Sequence, residues 1–228
     1  MVTVWERDDP GPRIRLDRES VVGAAIRIAD QDGLGAVSVR RVAADLGAGP
    51  MRLYRIFDTV DELTDMMADA AYAQMVQRAR RTGDWRARVR SVAEATRAVV
   101  LDHEWVADLL GAHPAIGPHG LAWLELLADG LGRCPELDGR SQVRTAIHVI
   151  DGFLIGSLRR EVSDRRCVRA GADAWGWSAT AGGYLERAIE AGPYPVLRDL
   201  SRPVDRRTPE RLFGDELAVV LRGLGRAR

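Results

Sequence analysis

The chain has 228 residues, 46% of them hydrophobic, which allows one large domain or a small domain joined to a larger one. No stretch is apolar for the ~20 residues that a membrane helix needs, and residues 1–15 lack the apolar segment of a secretory signal, so we expect a soluble, cytoplasmic protein. The formal net charge is zero, and all 33 basic residues are arginines. These figures exclude a globally basic DNA-binding protein, so any DNA contact must come from a local patch.

The first part of the chain predicts a flexible arm followed by short helices. Residues 1–16 contain Pro10-Gly-Pro12 and are expected to form the arm, whose arginines either touch DNA or are solvated. Asp17 is a suitable N-cap for a first helix that runs to about Asp32, and Ser38 is a suitable N-cap for a second. The apolar residues of the second helix recur at three- and four-residue steps and face inward: Val39, Val42, Ala43 and Leu46.

A glycine turn at Gly47-Ala-Gly49 separates the second helix from a third, which is predicted to begin at Pro50 and to run through Arg55. Helix, tight turn and helix is the order of a helix-turn-helix, which lays its second helix in the major groove of DNA. Residues 35–57 contain four arginines and a single acid, so this stretch is locally basic. We therefore predict a helix-turn-helix domain over residues 17–75.

Packing is expected to divide the side chains of this unit into two sets. Aliphatic residues such as Val42 and Leu53 hold the two helices together, which leaves an outward set. Its members are Arg40, Met51, Arg52, Tyr54 and Arg55. Arginine pairs with guanine, methionine packs on a thymine methyl group, and a tyrosine hydroxyl suits a phosphate oxygen. The same helix pattern also occurs in bundles that bind no DNA, so the pattern alone leaves both possibilities open.

Residues 76–228 predict a C-terminal bundle of longer and more apolar helices. Thr59–Glu62 is a capping box that begins a long fourth helix. Further helices are predicted at Trp85–His103, Trp105–Leu110, Pro118–Gly132, Ser141–Arg165, Trp177–Ala191 and Thr208–Leu224. Loops are expected at Arg165–Ala174 and Gly192–Arg207. The predicted fold is all-α, with an N-terminal three-helix helix-turn-helix domain and a C-terminal helical bundle.

The run Val37–Phe57, followed by Asp61-Glu-Leu63, resembles the tetracycline-repressor family of transcriptional regulators, whose pattern covers about residues 16–70. The glycine turn, the Leu53-Tyr54 pair and the final aromatic are in register. The resemblance implies a homodimer that binds a palindromic operator in double-stranded DNA. It implies backbone contacts for Ser38 and Tyr54 and base-facing positions for Arg40, Pro50, Met51 and Arg52. Arg41 and Arg55 are weaker candidates for DNA contact.

Two residues depart from the family pattern. Ile56 stands where the family usually has histidine or a similar residue, and Val60 stands where it usually has a lysine that contacts phosphate. Loss of that lysine removes one charge contact. We therefore expect a lower DNA affinity, or a salt dependence that is shallower by about one unit.

The C-terminal half also resembles this family, at His103-Glu-Trp105, Ile116–His119 and Ala146–Gly156. The resemblance implies that the helix predicted at Ser141–Arg165 pairs with the last helix across a two-fold axis. The expected interface residues are Ile147, Leu154, Leu158, Leu217 and Leu221. Gly152 and Gly156 either let two helices approach closely or pack internally.

The resemblance and the aromatic residues of this half imply a pocket for a small apolar or aromatic effector. The predicted lining is Met67, Trp105, Leu110, His113, Trp123, His148, Phe153 and Trp177. Plain core packing explains each tryptophan equally well, and His148 is expected in the core or at the pocket. Leu110 lies near the position of the histidine that binds the metal–tetracycline chelate in the family's namesake, so tetracycline is not expected as the effector.

The sequence contains no HExxH, GxSxG or Walker A motif, and Cys134 and Cys167 lack zinc-site spacing. We therefore expect two reduced thiols, no catalytic site, no metal and no cofactor. The predicted function is that of a DNA-binding repressor that its effector releases. The alternative is a dimeric interaction protein of the same fold with weakened or lost DNA binding. An enzyme would need an acid–base set that the sequence does not show.

Overall fold

The computed structural model describes residues 16–111, 117–170, 179–200 and 208–225, and every regular element within these ranges is helical. The all-α prediction is confirmed. The helices are α1 Arg18–Asp32, α2 Val39–Asp45, α3 Pro50–Leu53, α4 Val60–Arg78, α5 Trp85–Asp102, α6 Val106–Leu109, α7 Pro118–Leu131, α8 Gly139–Arg169, α9 Ala179–Ala191, α10 Pro195–Leu200 and α11 Pro209–Leu224. The predicted arm lies outside the described residues.

Capping side chains fix the starts of the N-terminal helices, as the sequence predicted. The Asp17 carboxylate accepts a hydrogen bond from the Ser20 N–H at 2.9 Å, and the Ser38 hydroxyl oxygen accepts one from the Arg41 N–H at 3.3 Å. The Thr59 hydroxyl oxygen accepts the Glu62 N–H at 3.1 Å. The Glu62 carboxylate binds the N–H of Asp58 rather than that of Thr59, at 2.7 Å, so the second arm of the capping box is displaced by one residue.

Three predicted boundaries are wrong. α3 ends at Leu53 and continues as a turn, where the sequence predicted helix through Arg55. α8 continues to Arg169 through the first part of a predicted loop, because its last turns form ion pairs with Glu104 on a neighbouring segment. α10 lies within the second predicted loop.

One hydrophobic core joins the two halves of the molecule. α1 packs on α4, α4 packs on α5 and α7, and α8 packs on α5, α6, α7 and α11. The buried residues form a single cluster from Val21 in α1 to Leu221 in α11. α4 is therefore shared between an N-terminal head, residues 16–59, and a C-terminal body, residues 79–225. The head and the body therefore share one continuous core.

Four of the five predicted dimer residues lie in the core of a single chain, so this part of the prediction is wrong. They are Leu154, Leu158, Leu217 and Leu221. They pack where α8 meets α11 and have almost no surface to offer a partner, because a hydrophobic stripe marks a buried face without saying what buries it. Ile147 is half-buried against the same core.

The outward faces of α8 and α11 are also partly apolar. Val149 on α8 and Leu212 on α11 are exposed, and Val219 is 59% exposed. Gly152 and Gly156 lie on the exposed side of α8, and a Cβ atom added to either would meet no atom within 4 Å. Internal packing therefore does not explain these two glycines.

The remaining general features concern thiols, metals and membranes. Cys134 and Cys167 are both free, and Cys134 is buried. In the described part of the chain, no three His, Cys, Asp or Glu side chains come together in a way that could hold a metal ion. None of the helices in those ranges is long and apolar enough to span a bilayer.

Candidate DNA-binding interface and its connection to the body

Buried aliphatic side chains and one glycine hold α2 and α3 together. Val42 and Leu53 have no accessible surface. Gly47 has a φ of +58°, which a residue with a side chain rarely adopts. The Ala48 N–H then donates to the Ala43 carbonyl at 2.8 Å and closes the turn. These contacts fix the angle between the two helices, which is what a helix-turn-helix requires.

All eight residues predicted to contact DNA lie exposed on this unit. They are Ser38, Arg40, Arg41, Pro50, Met51, Arg52, Tyr54 and Arg55. Met51 is 77% exposed, more than any other large hydrophobic side chain in the described ranges. An apolar side chain displayed on a locally basic surface is typical of a contact surface. Their contacts with DNA stay a prediction.

The arginines of this surface differ in whether an acidic side chain already forms an ion pair with them. The guanidinium groups of Arg40, Arg52 and Arg55 form no ion pair or hydrogen bond with any residue in the described ranges. Arg41 instead pairs with Asp32 at the end of α1. Asp45, the only acid between residues 35 and 57, pairs with Arg27 across a distance of 2.6 Å. The local negative charge is thereby balanced, and three guanidinium groups stay available for phosphate or guanine.

Two polar groups flank these arginines and suit the phosphate backbone. The ring centroid of Tyr54 lies 6.2 Å from that of the buried Phe57, which anchors the exposed tyrosine. The Tyr54 hydroxyl contacts no other described residue and is free to donate to a phosphate oxygen. Ser38 uses its oxygen to cap α2 but keeps its hydroxyl hydrogen as a donor.

The start of α4 is unfavourable for a phosphate contact. Val60 is 41% exposed and apolar at the position where the resemblance expects lysine. Asp61 and Glu62 follow in the first turn, and Asp58 precedes it. Acids at a helix N-terminus stabilise the helix through its dipole, but they repel phosphate. The expected weakening of this contact therefore has two causes, a missing cation and neighbouring negative charge.

A set of hydrogen bonds joins α1 of the head to the body. The Asp30 carboxylate accepts the indole N–H of Trp105 at 2.8 Å and binds Nδ1 of His103 at 2.8 Å. Nε2 of His103 lies 2.9 Å from the side-chain nitrogen of Gln74 on α4. The imidazole tautomer with its proton on Nδ1 satisfies both contacts. His103, which precedes α6, therefore contacts both α1 of the head and α4.

A second polar contact joins α4 to α7. One oxygen of Asp69 accepts the backbone N–H groups of His119 and Gly120 at 2.9 and 3.0 Å, and the other binds Nδ1 of His119 at 2.8 Å. Asp69 therefore caps the N-terminus of α7 from a different helix. Gly117 is needed beside it, because an added Cβ would lie 2.2 Å from the Asp69 carboxylate.

The structure disperses several residues that were predicted to line an effector pocket. Met67 and Trp105 have at most 1% of their surface accessible, so they pack in the core and face no open space. His148 is exposed on the outer side of α8, so its expected place in the core or at the pocket is wrong. Leu110 is buried, and Phe153 is half-buried with its ring centroid 5.4 Å from that of Phe213. His113 and Trp177 lie outside the described residues.

Trp123 is buried as well, with 3% of its surface accessible, and it lies beside residues that the sequence did not identify. Its indole N–H donates to the Thr96 hydroxyl at 2.9 Å, and its ring lies 5.7 Å from Tyr72 of α4. Burial, and then the charge of Asp151, raises the pKa of Tyr72 to about 12. A tyrosine and an aspartate among aliphatic helix residues carry no motif that would have identified them.

Comparison with known proteins agrees with this arrangement. A family model described as tetracyclin repressor-like, C-terminal domain, matches residues 79–227. The HTH-type transcriptional repressor DrrR1 of Streptomyces coeruleorubidus is 34% identical over 233 residues, which cover 97% of this chain and 83% of that protein. A possible TetR family transcriptional regulator from Streptomyces coelicolor A3(2) has a crystal structure with 26% identity and a TM-score of 0.74, covering 93% of this chain and 100% of that chain.

A further solved structure shares the fold at lower identity. ActR from Streptomyces coelicolor, in complex with actinorhodin, is 22% identical with a TM-score of 0.74. The match covers 92% of this chain and 95% of the ActR chain. At this identity the likeness concerns the arrangement of the helices.

Proposed function

Since this chain belongs to the tetracycline-repressor family of DNA-binding transcriptional regulators, we propose that it is a repressor that leaves its operator when a small aromatic effector binds in the body. The observation that carries the proposal is a set of three arginines on the helix-turn-helix, Arg40, Arg52 and Arg55, whose side chains have no partner among the described residues. Arg27, Arg160 and Arg166 are exposed arginines that pair with acids, whereas these three charges lie together on one exposed surface, which suits an anionic partner. The cytoplasm, where the operator lies, is the expected location.

Homodimerisation on DNA is the second part of the proposal, and the outward faces of α8 and α11 support it. Val149, Leu212 and Val219 expose apolar surface there, and Gly152 and Gly156 leave the α8 backbone open to close approach. A two-fold axis beside these helices would bring two heads to half-sites about one helical turn apart. These outward residues replace the buried leucines as the candidate interface.

Effector release is the third part. The polar contacts at Asp30 and Asp69 connect the head, α4 and α7, so a change in the packing of α4 is felt by both the head and the body. Tyr72 on α4 is half-buried against the buried ring of Trp123, which makes Tyr72 the candidate aromatic contact. ActR, which has the same fold, was solved with actinorhodin bound. An effector acts only through its different affinity for the DNA-binding and released states.

The direct test measures binding of the purified full chain to a labelled duplex from its own upstream region. We expect specific binding that weakens steeply between about 50 and 200 mM salt. Arg52→Ala should reduce specific affinity roughly ten- to a hundredfold, since a base-contacting arginine contributes about 1–3 kcal/mol. Tyr54→Phe should reduce affinity by a smaller and sequence-independent factor.

Arg81→Ala is the matched control. Arg81 is exposed and contacts no other described residue, but it lies beyond the far end of α4, about 30 Å along that helix from Val60. Its removal should leave operator affinity unchanged. If the wild-type chain binds no duplex specifically at moderate salt, the repressor proposal fails and the alternative of a dimeric interaction protein is favoured. We propose no catalytic role, since the family is one of regulators.

A further inference from the structure

The last turn of α1 carries two acidic residues, Asp30 and Asp32, and no basic one. A carboxylate at the C-terminal end of a helix is disfavoured by the negative end of the helix dipole. Asp30 is compensated by the body, where it accepts the indole N–H of Trp105 and binds Nδ1 of His103, both at 2.8 Å. Asp32 instead pairs with the guanidinium of Arg41 on α2. The stability of α1 alone therefore does not account for the Asp32 carboxylate.

Arg41 lies in the first turn of α2, on the surface that carries the predicted DNA contacts. Its backbone N–H donates to the Ser38 hydroxyl oxygen at 3.3 Å, and Arg40 precedes it in the chain. The side chains of Arg41 and Asp32 are 43% and 49% exposed, and Arg41 has no other acidic partner in the described ranges. An ion pair this exposed is weak, because water screens both charges, so Arg41 can exchange Asp32 for another anion.

A carboxylate and a phosphate bind an arginine in the same way. Each offers oxygens that share a negative charge, and a guanidinium binds them through charge-assisted, paired hydrogen bonds. The Arg41–Asp32 pair has no net charge, so the guanidinium has lost much of its attraction for a second anion. Asp32 and a DNA phosphate therefore compete for one cation, whereas the guanidinium of Arg40 has no such competitor among the described residues.

A second ion pair between α1 and α2 provides a comparison within the head. Arg27 of α1 binds Asp45 of α2 across 2.6 Å, and the two side chains are 58% and 37% exposed. Both pairs join the same two helices at the surface, but the cation lies on opposite helices. Only Arg41 belongs to the predicted DNA-contacting set, and Arg27 does not. Fastening α2 to α1 is therefore common to both pairs, and occupying a DNA-facing arginine is particular to Asp32.

We propose that Asp32 limits the affinity of this chain for DNA by holding the Arg41 guanidinium in place of an operator phosphate. This rests on the proposed function, since it concerns regulation of the same DNA-binding surface. Removal of the Asp32 charge frees Arg41 for a phosphate contact, which adds affinity without sequence preference. A limited operator affinity allows release by an effector whose affinities for the two states differ less.

The test measures binding of the full chain to a labelled duplex from its own upstream region and to a scrambled duplex of equal length, at several salt concentrations. Asp32→Asn should raise the affinity for both duplexes roughly three- to tenfold at about 100 mM salt. The slope of log affinity against log salt should steepen by about one unit, as for one added phosphate contact. The thermal midpoint should stay within about 2 °C of the wild type, because the lost pair is weak.

Two further variants separate a phosphate contact from a change in net charge. In an Arg41→Gln background, Asp32→Asn still removes one negative charge but frees no arginine, so the gain in affinity should be less than about twofold. Asp45→Asn is the matched control in the wild-type background. It frees Arg27, which lies outside the predicted DNA-contacting set, and should give an equally small gain.

An equal gain from Asp32→Asn with and without Arg41 would overturn the inference, as would an equal gain from Asp45→Asn or no gain at all. The two duplexes distinguish this outcome from failure of the proposed function. If the wild type binds both duplexes equally, the repressor proposal fails, while a gain that depends on Arg41 still supports the role of Asp32. Preference for the upstream duplex without that gain defeats only this inference.

Discussion

Arginines on the DNA-facing surface of the head and arginines that join helices in the body have different roles, although they are the same residue type. In the head, Arg40, Arg52 and Arg55 are exposed and unpaired within the described ranges. In the body, arginines join helices: Arg97 pairs with Glu161 at 2.6 Å, and Arg166 pairs with Asp108 at 3.0 Å. All basic residues in this chain are arginines, so composition cannot distinguish the two uses. The folded state shows which arginines have an acidic partner, and these include Arg27 and Arg41 of the head.

This contrast indicates which guanidinium groups are available to bind an anionic ligand. An arginine held by an acid contributes to the fold and has lost much of its attraction for phosphate. An arginine without an acid adds little to stability and is available for DNA. Substitutions in the body should therefore change stability more than DNA affinity, and substitutions in the head should do the reverse.

The largest expected effect is on the buried pair of the body. Arg97 and Glu161 are both mostly buried, with two hydrogen bonds of 2.8 and 2.6 Å between them. Glu161→Gln would leave the Arg97 charge buried without its counter-ion, so we expect a loss of about 3 kcal/mol in the free energy of unfolding. Thermal unfolding should show a midpoint roughly 6–12 °C lower. Glu125→Gln, at an exposed site on α7 whose side chain pairs with no residue in the described ranges, should leave the midpoint unchanged.

The next largest effect is a difference in operator affinity between substitutions of two neighbouring arginines of α2. Arg40→Ala removes a free charge and should weaken operator binding by about 1–3 kcal/mol, whereas Arg41→Ala removes a charge already paired with Asp32 and should weaken it less. Fluorescence anisotropy at one salt concentration measures both variants. Thermal midpoints should stay within about 2 °C of the wild type. An equal loss in both variants would show that pairing does not decide which arginine serves DNA.

A smaller effect is expected where head and body meet. Trp105→Phe removes the N–H that Asp30 accepts, so the second half of α1 should open more easily, by about 1 kcal/mol. Hydrogen exchange should show amides of that half-helix exchanging about fivefold faster. Trp85→Phe is the control, since Trp85 is also buried but forms no bond to α1. Unchanged protection of α1 in Trp105→Phe would mean that the core alone holds the head.

The sequence predicted the head well because its signals are local. Caps at Asp17, Ser38 and Thr59, the glycine turn and the inward spacing of α2 each depend on residues a few positions apart. The exposure of the predicted DNA-contacting residues follows from the same spacing. Local sequence signals could not predict which charged side chains form ion pairs with one another. Arg27 lies 18 positions from Asp45, and no sequence pattern predicts that these two side chains form an ion pair.

The body was predicted less well because its site depends on distant helices. Tyr72 and Trp123 are far apart in sequence and meet only after α4 and α7 have packed. Hydrophobic periodicity placed Leu154 and Leu217 correctly on the apolar faces of their helices, but it could not say whether a partner or the chain itself covers them. The helical end of α8 likewise depends on Glu104, which is far away in sequence.

The smallest effect tests the one position of the head where charge is missing. Val60→Lys would place a cation at the start of α4, beside Asp61 and Glu62, and should restore a phosphate contact. We expect operator affinity to rise severalfold at low salt, and the slope of log affinity against log salt to steepen by about one unit. The neighbouring acids should hold the gain below that of a fully effective cation. Leu121→Lys, at an exposed apolar site on α7, adds the same charge away from the head and should leave the slope unchanged. If both variants steepen the slope equally, net charge and not a contact at Val60 is responsible, and the distinction between head and body fails at this position.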